Sequence, residues 1–76
     1  MYRRNKIMKC KMKFYNPKQT FEFDGVKSHQ ELLDNFLELN KDFYFGEIKR
    51  YGKVTKCNVY DCLDNFVDVI EIKSFA

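Results

Sequence analysis

Seventy-six residues with a formal net charge of +3, 45% apolar and 17% aromatic side chains describe one small domain, whose core must be built from few, large side chains. No apolar run is long enough to span a bilayer, and three cysteines, an odd number without repeated spacing, make no disulfide framework. Free thiols fit a reducing compartment, so the chain is expected in the cytoplasm as a single α+β domain over 1–76.

The chain opens on "MYRRNKIMKCKMKF", whose lysines interrupt any apolar stretch, so it reads as no signal peptide. Met8 is a second candidate start, and residues 1–6 read as a flexible basic arm. Residues 1–20 carry seven Lys or Arg and no acid, whereas the remainder carries seven against eleven acids. The modest net charge therefore conceals a polar molecule. Lys, Asn, Ile, Phe and Tyr outnumber Gly, Ala, Arg and Pro, a bias toward AT-rich codons that points to a low-GC bacterium or its phage.

Residues 7–15 alternate Lys9, Lys11, Lys13 and Tyr15 against Met8, Cys10, Met12 and Phe14. Residues 20–24 alternate Phe21 and Phe23 against Thr20, Glu22 and Asp24. This is the period of half-buried strands, and "NPKQ" between them supplies the turn. Centring the turn on Pro17-Lys18 predicts the pairs Phe14–Phe21, Met12–Phe23, Lys13–Glu22 and Lys11–Asp24. In that register the lysine row is mainly the wet side of a hairpin, since two of its members have carboxylate partners.

"SHQELLDNFLELNKDF" opens with a capping box, Ser28 with Glu31, and predicts a helix over about 29–41. Leu32, Leu33, Phe36, Leu37, Leu39 and Phe43 form its apolar stripe. Residues 43–60 predict a second hairpin turning at Gly52-Lys53, with Ile48 opposite Cys57, Gly46 opposite Val59 and Lys49 opposite Lys56. The last pairing sets like charges against each other, which disfavours the register. At the end of the chain, β-branched density predicts a loop over 61–65 and a strand over 66–73, bulged near Val69-Ile70. The order is ββαβββ, a small antiparallel sheet with one amphipathic helix packed on one face.

Reactive chemistry is sparse. Cys10, Cys57, Cys62 and His29 match a zinc site in number, but the close ligand pairs typical of such sites are missing, and Cys10 and Cys57 fall on core faces. His29 is expected to be a solvent-exposed imidazole in the first helical turn. Only three isolated glycines occur, none in a phosphate-binding loop. No catalytic, cofactor or metal site is therefore expected, and the chain does not read as an enzyme.

Two surfaces carry the functional reading. Glu31, Asp34, Glu38 and Asp42 on the helix, with Asp61, Asp64 and Asp68 after it, suggest electrostatic docking on a basic protein partner. Its most concrete form is a phage or mobile-element inhibitor of a host nucleic-acid-handling complex, of the anti-CRISPR kind. The alternative is direct binding of nucleic acid, with Arg3, Arg4, Lys6, Lys9 and Lys11 on phosphates and Tyr15 as a stacking platform. Five tyrosines beside eight phenylalanines exceed what so small a core can enclose, which favours a protein partner or a homodimer.

Overall fold

The computed structural model describes residues 7–75. Arg3, Arg4 and Lys6 of the expected basic arm lie outside the described residues. Wherever the sequence alternates, the backbone extends: β1 (Met8–Tyr15) and β2 (Lys18–Val26) precede α1 (His29–Leu39), and β3 (Phe43–Phe45), β4 (Lys49–Tyr51), β5 (Val54–Asp61) and β6 (Phe66–Phe75) follow it. The six strands form one antiparallel sheet in the order β2-β1-β6-β5-β3, with β4 also paired to β5. The chain is thus α+β with the expected ββαβββ order, its third strand broken into the short β3 and β4.

The first hairpin keeps its predicted faces but not its predicted register. Its turn is Asn16-Pro17, joined by a cis peptide, rather than Pro17-Lys18. Met12 therefore pairs with Phe21, Lys11 with Glu22, and Lys13 with Thr20. The two-residue shift preserves parity, so each side chain stays on its expected side. Lys13 loses its expected carboxylate on β2 and meets Glu71 on β6 instead.

The second hairpin holds its register beside the turn, where Lys49 pairs with Lys56 and Gly52 takes φ +59°, the left-handed value that a type II′ turn requires at its first central position. Farther out, Phe45, not Gly46, lies opposite Val59. The Gly46 N–H donates to the Asn58 carbonyl at 2.9 Å, and a Cβ on Gly46 would lie 2.9 Å from Cε2 of Tyr60. The absence of a side chain lets that ring lie against the backbone. In β6 the irregularity falls at Val67, between the pairs Val59–Asp68 and Tyr60–Phe66, rather than at Val69-Ile70.

Helix α1 begins as its capping box dictates, with the Glu31 N–H donating to Ser28 Oγ at 3.2 Å. The Glu31 carboxylate reaches one residue beyond the cap, accepting from the Lys27 N–H at 2.9 Å. At the far end the Asn40 side chain donates to the Phe36 carbonyl, closing the helix short of residue 41. Leu39 was expected in the apolar stripe, yet it is 85% exposed.

Cys10, Met12, Val26, Leu32, Leu33, Cys57, Val59, Ile70 and Ile72 form the buried core. Phe36 extends it as the centre of a ring cluster, with centroids 5.7 Å from Phe14, 5.9 Å from Phe45 and 6.2 Å from Phe43. Among the described residues, no helix is long and apolar enough to cross a membrane.

Candidate nucleic-acid interface

The same alternation that buries one set of strand side chains puts the other set on the opposite face of the sheet. On β1 these are Lys9, Lys11, Lys13 and Tyr15; on β6, Val69, Glu71, Lys73 and Phe75; on β5, Val54, Lys56, Asn58 and Tyr60. Following the pairings across the strands gives two rows. One runs Glu22, Lys11, Lys73, Val54, Tyr51; the other runs Thr20, Lys13, Glu71, Lys56, Lys49. Lys9 stands opposite Phe75 beside the first row.

Six lysines thus share one face, and two cross-strand pairs, Lys11–Lys73 and Lys49–Lys56, oppose like charges. Directly opposed like charges destabilise a sheet. Aromatic rings lie between them. Lys11 Nζ is 5.2 Å from the Phe75 ring centroid and Lys13 Nζ is 5.5 Å from that of Tyr15, both within cation–π range. Tyr51 is 59% exposed. Two open hollows mark the face. One of about 430 Å³ is bounded by Lys11, Lys13, Glu71, Lys73 and Phe75; the other, of about 550 Å³, by Lys49, Tyr51, Lys56, Asn58 and Tyr60.

Of the residues first assigned to phosphate binding, Lys9, Lys11 and Tyr15 come together on this face, while Arg3, Arg4 and Lys6 lie outside the described residues. The Tyr15 hydroxyl donates to the Glu71 carboxylate, which raises the phenol pKa above its ordinary value of 10. Lys49, Lys56, Lys73 and Phe75 join them, and sequence reasoning did not assign these. The unfavourable Lys49–Lys56 pairing was a signal for the first two, whereas Lys73 and Phe75 gave none, because they meet β1 only in the assembled sheet.

The acidic residues separate into two groups. Glu31 caps the helix, and Asp61 accepts backbone N–H bonds from Leu63 and Asn65, each at 2.9 Å, which hold its carboxyl below the ordinary 3.8. Asp64 accepts from the Tyr44 hydroxyl, whose pKa is pushed up to about 12 by that bond. Asp68 is only 7% exposed and gathers three backbone N–H groups on Oδ1: Tyr15 at 2.9 Å, Asn16 at 3.0 Å and Val69 at 2.7 Å. Asp34, Glu38 and Asp42 remain exposed, with Asp34 accepting from the Gln30 side chain.

His29 departs from expectation. Its ring is half-buried, with Nδ1 2.6 Å from Thr55 Oγ1 and Nε2 2.6 Å from Ser74 Oγ, so it links the helix start to β5 and β6. Burial first, and the nearby Arg50 charge second, hold its pKa below the ordinary 6.5. The unfolded chain therefore takes up the proton before the folded one does. Stability measured by urea unfolding should fall as pH drops below about 6.5 and level off once the folded state also protonates. The same series on His29→Gln should be flat over that interval; an equal slope in both proteins would rule out this residue as the source.

Cys10 and Cys57 are buried, and burial raises both thiol pKa values, that of Cys57 to about 11. Neither is a ready nucleophile at neutral pH. Among the described residues, no three His, Cys, Asp or Glu side chains converge in a way that could hold a metal ion. Compared with protein-family models, with curated proteins and with solved structures, the chain matches none.

Proposed function

We propose that this chain is a non-enzymatic binding protein whose working surface is the lysine-bearing face of the sheet and whose ligand is single-stranded nucleic acid. In this reading the helix packs across the core face and leaves the other open. The observation that carries it is the pair of opposed lysines, Lys11–Lys73 and Lys49–Lys56, on one face. A sheet selected only for stability would place an acid or a neutral residue at one position of each pair. Local rules are broken mainly at functional sites, and a polyanion laid across the face would turn both repulsions into attraction. Phe75, Tyr15 and Tyr51 supply flat surfaces on which unpaired bases stack, which favours single strands over duplex.

Lys73→Glu tests the reading, because stability and function should move in opposite directions. Facing Lys11, the new carboxylate should stabilise the fold by about 0.2–1 kcal/mol. Affinity for a fluorescent single-stranded oligonucleotide should drop about tenfold, and the slope of log affinity against log salt should become shallower by about 0.7. Wild-type protein that leaves the oligonucleotide unbound at 50 mM salt or below would overturn the proposal.

A second reading keeps the acidic surface as the docking site for a basic protein, with the inhibitor of a host nucleic-acid-handling complex as its most concrete form. The observation favouring it is the exposure of Asp34, Glu38 and Asp42 at and just beyond the helix. The same variant separates the two, since docking through these acids should be unaffected by Lys73→Glu.

A further inference from the structure

The two edges of the sheet are built differently. Because β6 occupies one side of β5, both β3 and β4 lie along its other side, and that edge consists of two three-residue strands interrupted at residues 46–48. Short, broken edges are a common means of preventing a sheet from recruiting another strand. The opposite edge is longer and regular over most of its length. Strand β2 runs for nine residues, with a bulge at Asp24-Gly25 opposite Lys9, where Gly25 takes φ +67°. Among the described residues it pairs only with β1, and it is exposed along nearly its whole length. Phe21 and Phe23 on it are 46% and 37% exposed. With Met12, Phe14, Leu32 and Phe36 they line an apolar groove of about 290 Å³ between β2 and the helix.

We infer that this edge is the seat of a homodimer in which β2 pairs antiparallel with β2 of a second copy, centred on Phe21. The self-complementary charges of the strand select a second copy as the occupant, and charge together with length selects the register. Centring on Thr20, with Lys18 against Glu22, also avoids like charges but pairs only residues 18–22 and leaves Phe23 uncovered. Pairing Phe21 with itself sets Lys18 against Asp24 of the other copy and Thr20 against its Glu22, an arrangement free of like-charge contacts. Centring on Glu22 would oppose two glutamates, and centring on Phe23 would oppose Glu22 and Asp24. Both alternatives keep the pleat in phase, so charge distinguishes them from the Phe21-centred register. In that register the exposed phenylalanines of the two copies cover one another, Phe21 against Phe21 and Phe23 against Gln19.

Antiparallel edge pairing relates the two copies by a two-fold axis perpendicular to the sheet. The lysine faces of both copies then point the same way and merge into one continuous surface. The dimer does not depend on what that surface binds.

Sedimentation velocity across a concentration series, without nucleic acid, tests the inference. Wild-type protein should dimerise. Lys18→Asp and Asp24→Lys should each raise the dimer dissociation constant about tenfold, because each copy contributes one such pair and both become repulsive. The double variant, which restores the opposite charges in swapped positions, should recover wild-type association. Circular dichroism should show all three variants folded, as expected for exposed residues. Wild-type protein that stays monomeric up to about 1 mM, or a dimer indifferent to both single reversals, would overturn it.

Discussion

Leu33→Ala should destabilise the fold by about 3–4 kcal/mol, a large share of what a domain of this size possesses. Leu33 is completely buried and joins strand residues from β1, β5 and β6 in the core. Truncation removes the transfer free energy of the lost carbons and leaves a void that the packed strands fill only in part. Leu39→Ala is the matched comparison. It occupies the same nominal stripe of the same helix but stands 85% exposed, and its loss should cost no more than about 0.5 kcal/mol. Equilibrium unfolding in urea would compare the two directly, and equal costs would show that burial has been misassigned to the helix face.

The second large effect falls on a carboxylate. Asp68→Ala should destabilise by about 2–3 kcal/mol, because it leaves the amides of Tyr15, Asn16 and Val69 without their acceptor. Replacing a buried charge with an apolar group is often harmless when its partners leave with it. Here the partners are backbone and stay behind. Asp68→Asn, which retains an acceptor oxygen, should cost about 1 kcal/mol. Loss of amide protection at Tyr15 and Asn16 in hydrogen exchange would locate the damage at the first turn. Unchanged unfolding in both variants would instead leave Asp68 as a surface group with no structural task.

Much of the fold was legible because alternation and capping are local. The faces of β1, β2 and β5, the start of α1 and the Gly52 turn all follow from neighbours a few residues apart. Register proved harder, since alternation defines it only modulo two. The Phe14–Phe21 and Met12–Phe21 pairings satisfy the pattern equally, and the position of the turn decides between them. The bulge was misplaced for a different reason. A bulge at Val69-Ile70 would put Val67 and Val69 on the same side as Ile70 and Ile72 only if Asp68 pointed outward. Asp68 points inward because amides from a turn more than fifty residues away await it, and no local periodicity encodes that. The expectation of an exposed His29 failed for the same kind of reason, as Thr55 and Ser74 reach it only once the strands are assembled.

The candidate site was half legible. Lys9, Lys11 and Tyr15 stood out because they alternate within one strand. Lys73 and Phe75 did not, since their significance comes from lying beside β1, a neighbour at the other end of the chain. The acidic residues erred in the opposite direction. Their spacing suggested a single docking surface, yet five of the seven carry hydrogen bonds within the molecule.

Among the described residues, strand β6 is the only link between two otherwise separate sets of strands, β2-β1 on one side and β5 with its two short partners on the other. Until its ten residues take their place, the chain can form local hairpins but not a sheet. Such long-range closure is slow compared with the folding of helical domains of similar length. While closure is pending, the lysine rows do not exist as surfaces, because Lys73 and Phe75 have not reached Lys11. On the proposed reading, binding competence should therefore appear late and all at once, with no early intermediate able to hold an oligonucleotide.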